Sequence, residues 1–145
     1  MLGDQVNIRD AAAPDRHQVI ALWEACGLTR PWNDPIADFD RAIGWAGSTI
    51  LVAEFDDVAV ATVMIGYDGH RGWVYYLAVD PTRQQAGLGR ATMAAAQDWL
   101  AAKGAPKVQL MVRADNEGAL AFYESLGLER QNVVTFGRFM GSDQH

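Results

Sequence analysis

The residues best placed to do chemistry lie in Val79-Asp80-Pro81-Thr82-Arg83-Gln84-Gln85-Ala86-Gly87-Leu88-Gly89-Arg90. An apolar, strand-like run ends there, two closely spaced glycines follow, and a helical stripe begins. The first N–H groups of a helix have no carbonyl partner, and the helix dipole adds partial positive charge at the same end. Gly87 and Gly89 carry no Cβ, so a ligand can approach the backbone closely. The combination makes an anion site suited to a pyrophosphate. It is not a P-loop, because no Gly-Lys-Ser/Thr follows, and Thr92 stands where a dinucleotide fingerprint needs its third glycine. Taken alone, Gly-Leu-Gly describes a structural turn equally well.

These residues need a sheet and a helix to position them, and the flanking patterns supply both. Val6 to Arg9 reads as a first strand and Pro14-Asp15 as a helix start. Val19, Leu22, Trp23 and Cys26 then repeat at helical spacing up to Gly27, which makes Cys26 a small core residue rather than a nucleophile. Leu28 to Pro35 is a loop containing Trp32, and a second helix is expected from about Pro35 to Trp45. Ser48 to Phe55, Val58 to Tyr67 and Trp73 to Val79 form three strands joined by the turns Asp56-Asp57 and Asp68 to Gly72. Leu88, Thr92, Ala95, Ala96, Trp99 and Leu100 mark one face of a helix ending at Gly104. Val108, Leu110 and Val112 alternate as a strand, Ala119 to Leu126 is a further helix, and Val133 to Met140 reads as a last strand. The expected fold class is α/β (α+β): a mixed, mostly antiparallel sheet of six to seven strands with about four helices.

The chain of 145 residues fits a single domain spanning 1–145. Its one cysteine excludes an internal disulfide and a cysteine-rich metal site, which fits a cytoplasmic setting, and no metal-ligand spacing occurs elsewhere. No Ser-His-Asp or Cys-His set is recognisable. Met1 to Gln5 lacks the basic and apolar blocks of a leader, and no apolar run reaches membrane-spanning length. Twelve basic and eighteen acidic residues give a net charge of −6, which argues against a nucleic-acid partner and suits a cationic one. The same charge also serves solubility.

In context the glycine run becomes specific. Gln84-x-x-Gly87-x-Gly89, preceded by Leu77-Ala78-Val79-Asp80-Pro81, resembles the Gln/Arg-x-x-Gly-x-Gly/Ala motif of the GNAT superfamily of N-acetyltransferases. Asn116, followed by Ala119-Leu120-Ala121-Phe122-Tyr123-Glu124-Ser125-Leu126-Gly127, is similar to the family's second signature. The order of elements is also the family's, so the resemblance covers essentially the whole chain. Arg30 to Pro35 and Gly66 to Gly72 resemble a bacterial subgroup that has no well-defined acceptor.

The resemblance implies transfer of an acetyl group from acetyl-CoA to an amine, without a metal. It implies that the backbone amides of Gln84, Gln85, Ala86, Gly87, Leu88, Gly89 and Arg90 hold the CoA pyrophosphate. The strand at Leu77, Ala78 and Val79 would bulge away from the Val108 strand, pantetheine would lie in the gap, and an N–H near Leu77 or Ala78 would polarise the thioester. Asn116 would touch the CoA arm; an N-cap is its alternative role. Tyr123 matches the acid that protonates the departing thiolate, with core packing as the alternative. Homodimerisation fits the family, and no membrane partner is expected. The alternatives to an acetyltransferase are another acyl-CoA as donor or a catalytically silent acyl-CoA-binding or regulatory module.

The sequence departs from the family at the base. Many relatives carry a glutamate where Trp73 or Met111 stands here. Asp68 and His70, in the turn before the fourth strand, are the nearest titratable residues. Of the two His70 suits proton acceptance better, since an ordinary imidazole titrates near pH 6.5. A solvated turn, or a water chain ordered by Tyr75 or Glu54, is the alternative.

Overall fold

The computed structural model describes residues 6–141, apart from the side chains of Gln85 and Ala86. The leaderless start read at Met1 to Gln5 lies outside the described residues. The elements are β1 (Asn7–Asp10), α1 (Arg16–Ala25), α2 (Pro35–Gly44), β2 (Ser48–Phe55), β3 (Val58–Tyr67), β4 (Gly72–Val79), α3 (Leu88–Ala102), β5 (Val108–Leu110) and α4 (Glu117–Ser125). Short 3₁₀ turns at Ala13–Asp15 and Pro81–Ala86 lead into α1 and α3. The chain divides into two compact units, one ending at Met111 and the other beginning at Val112.

The first unit is built on one sheet in the order β1-β2-β3-β4-β5. β1 to β4 are antiparallel neighbours, and β5 joins β4 in parallel. The tight turns explain this meander. Asp56 and Asp57 both adopt positive φ, 51° and 63°, the geometry of a primed hairpin turn whose twist matches the strands it joins. A parallel neighbour needs a crossover, and α3 supplies it.

Alternation along the strands sends side chains to two layers. Ile50 and Val52 of β2 with Ala78 of β4 pack against Val19, Leu22 and Trp23 of α1 and Phe39 and Ala42 of α2. Ala53 and Ala61 face the other way, in a cluster with Leu88 of α3. Along α3 the buried stripe is Leu88, Thr92, Met93, Ala96 and Leu100. The helix approaches β4 closely at its last turns: a Cβ on Gly72 would lie 2.6 Å from Leu100 Cδ2. At the open edge of the sheet, Arg9 bridges Asp15 (2.8 Å) and Glu54 (2.9 Å), which ties β1 and the start of α1 to β2.

In the second unit α4 ends where Gly127 takes φ +88°, and Leu128 N–H donates to Tyr123 O at 3.2 Å. The fold class agrees with expectation, and the strand count does not. Five strands occur among the described residues. Ladder pairing of the Val108 strand stops at Leu110, short of Val112, and Val133 to Met140 carries no strand. The tail has β-branched and aromatic composition, yet such composition is only a propensity that a paired neighbour must realise. Val133, Val134, Phe136 and Met140 are exposed.

Candidate active site

β4 is regular up to Tyr75 and again from Ala78. Its pairing with β3 runs Met64↔Tyr75 and then Thr62↔Ala78, so Tyr76 and Leu77 together oppose Val63. This is a β-bulge, and its first residue, Tyr76, has φ +52°. A left-handed conformation at a residue with a Cβ costs roughly 1–2 kcal/mol, so its surroundings must hold it there. The bulge also carries Tyr75 and Tyr76 to the same face of the sheet, since Tyr75 opposes Met64 and both Met64 and Tyr76 pack on the α1–α2 cluster.

Beyond the bulge β4 continues without β5. The parallel ladder joins only Gly72, Trp73 and Val74 to Val108, Gln109 and Leu110. From Tyr75 to Val79 that edge of β4 has no paired strand among the described residues. At its end the Val79 carbonyl accepts from Cys26 Sγ at 3.1 Å and from Gln84 Nε2 at 3.3 Å. Burial pushes the Cys26 thiol up, which keeps it protonated as the donor in that contact.

The chain then turns at Asp80, whose carboxylate accepts from the Thr82 N–H at 2.9 Å and the Thr82 hydroxyl at 2.8 Å. The 3₁₀ turn Pro81–Ala86 delivers Gly87 in the left-handed region at φ +77°, and α3 starts at Leu88. As N-cap, Gly87 has no side chain to offer the helix. Two other helices carry the side-chain cap that α3 lacks: Asp34 accepts from Ile36 and Ala37 N–H at α2, and Asn116 accepts from Ala119 N–H at α4. In contrast α1, like α3, follows a 3₁₀ turn and has none. The N–H groups of Leu88, Gly89 and Arg90 have no intrahelical acceptor at this position. A Cβ on Gly87 would meet nothing within 4 Å. Thus the glycine serves the turn by its φ and leaves space in front of it, the two properties an anion cradle needs.

Asn116 and Tyr123 belong to the second unit. Asn116 caps α4, its Oδ1 lying 3.1 Å from Ala119 N. Tyr123 sits edge-on to Phe122, ring centroids 5.1 Å apart, and burial pushes its phenol up to about 12. Such a group holds its proton throughout the neutral range, as a general acid must.

Residues 12–128 match the acetyltransferase (GNAT) family. The chain belongs to that family. It is 41% identical over 139 residues to an acetyltransferase of Yersinia pestis (strain Pestoides F), covering 96% of this chain and 99% of that one. Among solved structures, its fold is similar to AAC(6')-Iy in complex with a bisubstrate analog, CoA-S-monomethyl-acetylneamine. That match has a TM-score of 0.79 and 19% identity, and covers 94% of this chain and 99% of that one. It is also similar to an aminoglycoside acetyltransferase, meta-AAC0020, from an uncultured soil metagenomic sample, in complex with sisomicin. Here the TM-score is 0.80, identity is 21%, and coverage is 97% and 100%. The protein is therefore a GNAT acyltransferase.

Within this GNAT domain the turn between β3 and β4 has a different character. Asp68 Oδ1 accepts from both His70 and Arg71 N–H at 2.8 Å. Those two bonds, Arg71's first, hold the carboxylate below its ordinary range, which makes it a poor proton acceptor. His70 is exposed at the tip. Glu54 is committed elsewhere, both its oxygens accepting from Arg9, which lowers its pKa as well. Tyr76 is the residue of this region that sequence reasoning misses. Tyr75-Tyr76 reads as an ordinary alternating pair, and only the register with β3 reveals the bulge.

Proposed function

We propose that this enzyme transfers the acetyl group of acetyl-CoA to a primary amine by direct attack in a ternary complex. One observation carries the reading. The bulge at Tyr76–Leu77 and the uncapped helix start at Gly87 bracket the stretch of β4 that lies beyond the β5 ladder. A ligand with a diphosphate at one end and an amide-bearing arm at the other fits that arrangement.

In this reading the amides of Gln84 to Arg90 hold the pyrophosphate, and the pantetheine arm runs beside Leu77, Ala78 and Val79. A backbone N–H at Leu77 or Ala78 donates to the thioester oxygen and stabilises the oxyanion as the amine nitrogen bonds to carbon. The carbon–sulfur bond then breaks, Tyr123 gives its proton to the thiolate, and the proton lost by the acylated nitrogen returns through solvent to restore the phenol. Asn116 closes the start of the helix that carries Tyr123. The ammonium form of the acceptor must first lose a proton. His70 is the group assigned to take it, with Asp68 holding the turn that presents the imidazole. Solved relatives of this fold support an amine acceptor, since one is complexed with sisomicin and another with an acetylneamine bisubstrate analog.

The test is an amine panel with acetyl-CoA, read by free thiol release, with propionyl- and succinyl-CoA in parallel. Thiol release that depends on an amine supports the reading. Saturable acetyl-CoA binding without turnover on any amine would leave an acyl-CoA-binding module instead.

A further inference from the structure

Tyr76 is held at three points. Its ring stacks on Trp23, centroids 3.9 Å apart and planes 9° from parallel. Its hydroxyl donates to Asp38 Oδ2 at 2.8 Å. Its carbonyl accepts from the Thr62 hydroxyl at 3.4 Å, and the Thr62 oxygen in turn accepts from Trp23 Nε1 at 3.1 Å. The other oxygen of Asp38 accepts from Arg41 at 2.7 Å, which fixes the carboxylate on α2. Trp23 and Thr62 are fully buried. A bulky residue at positive φ persists only where its surroundings over-determine it, and these contacts come from α1, α2 and β3 together.

We infer that Asp38 and Trp23, acting through Tyr76, are positioning residues that lock the β4 bulge and so aim the Leu77 N–H at the thioester carbonyl. The inference rests on the acetyl-CoA reading of the site. Asp38 is no proton acceptor in this scheme. It anchors the phenol, and burial followed by the hydrogen bond to Asp38 pushes that phenol up, so it stays a donor. The physical logic is that an oxyanion donor is worth most when it is fixed before charge develops. A backbone N–H cannot be fixed by its own side chain, so the neighbouring Tyr76 is clamped instead.

The experiment uses acetyl-CoA labelled with ¹³C at the carbonyl and needs no acceptor. Hydrogen bonding polarises the thioester and moves its resonance downfield, and calorimetry on the same samples gives Kd. Tyr76→Phe keeps the stack on Trp23 and removes only the hydroxyl; Asp38→Ala removes its partner; Asp38→Asn retains an acceptor oxygen. Wild type should show a downfield shift. Tyr76→Phe and Asp38→Ala should lose more than about half of it while Kd changes less than about threefold, because the pyrophosphate contacts dominate binding. Asp38→Asn should restore most of the shift. Should Asp38→Ala fail to fold, the near-isosteric Tyr76→Phe carries the comparison. Wild-type binding with the shift unchanged in Tyr76→Phe would overturn the inference alone, and so would a wild type that binds with no shift. No wild-type binding would overturn the acetyl-CoA reading and this inference with it.

Discussion

Asp68 and Asp80 stand at opposite ends of β4, and each accepts a hydrogen bond from a backbone N–H two residues on. Each turn also contains a glycine in the left-handed region with open space where a Cβ would be, Gly69 at φ +89° and Gly87 at φ +77°. The difference lies in what happens to the remaining amides. Asp68 takes the N–H groups of both His70 and Arg71, so those two amides are already occupied within the turn. Asp80 takes the Thr82 N–H and leaves the start of α3 uncapped behind Gly87. The same local device closes a hairpin at one end of the strand and precedes a helix start without a side-chain cap at the other.

Matched substitutions should break the symmetry of the two turns most visibly. Gly87→Val and Gly69→Val each force a β-branched residue into positive φ, costing roughly 1–2 kcal/mol of stability in either case. Only Gly87→Val should also weaken acetyl-CoA binding. Removing two charge-assisted hydrogen bonds to phosphate, worth about 1.5–3 kcal/mol each, should raise Kd by about 100-fold or more. Calorimetry with urea melts separates the two effects. Equal Kd changes in both variants would contradict the division of labour.

The next effect in size concerns Tyr123. Tyr123→Phe should lower kcat by about 100-fold, the low end for acid–base groups, with little change in the KM for acetyl-CoA. Its raised pKa sets a sign. An acid must be protonated to act, and this phenol keeps its proton up to about 12, so no alkaline loss of kcat from Tyr123 should occur near pH 10. Turnover unchanged in Tyr123→Phe would reduce the residue to packing.

His70→Ala should cost less, about tenfold in kcat/KM, below the usual range because an exposed base competes with water. Unchanged kcat/KM in the variant would make the Asp68 turn purely structural. Smallest of all is the aspartate pair itself. Asp80→Ala should raise the acetyl-CoA Kd by about fivefold, equivalent to losing a cap worth roughly 1 kcal/mol. Asp68→Ala should leave Kd unchanged.

The contrast between the two turns also explains what the sequence can reveal. A backbone site needs residues without side chains at fixed offsets, so the spacing of Gly87 and Gly89 suggests one, although Gly-Leu-Gly alone fits a plain turn equally well. Helices and turns are legible for a similar reason, since Gly27 and Gly127 both take the positive φ that stops a helix. The clamp on Tyr76 is illegible because Trp23, Asp38 and Thr62 meet it only through tertiary packing. Asp68 looks like a candidate for proton transfer because composition cannot show that its oxygen is already occupied. The tail Val133 to Met140 has the residue types of a strand, and pairing, which no local pattern encodes, decides that question.

The proposed function requires the amides at the start of α3, and not those of the Asp68 turn, to hold the anionic end of CoA. Amide chemical shifts of ¹⁵N-labelled enzyme titrated with CoA test it most directly, because each N–H reports on its own acceptor. CoA should produce large, saturable downfield shifts at Leu88, Gly89 and Arg90, with Gly69, His70 and Arg71 unmoved. Saturation that leaves Leu88 to Arg90 in place, or that moves the Asp68 turn instead, would contradict it.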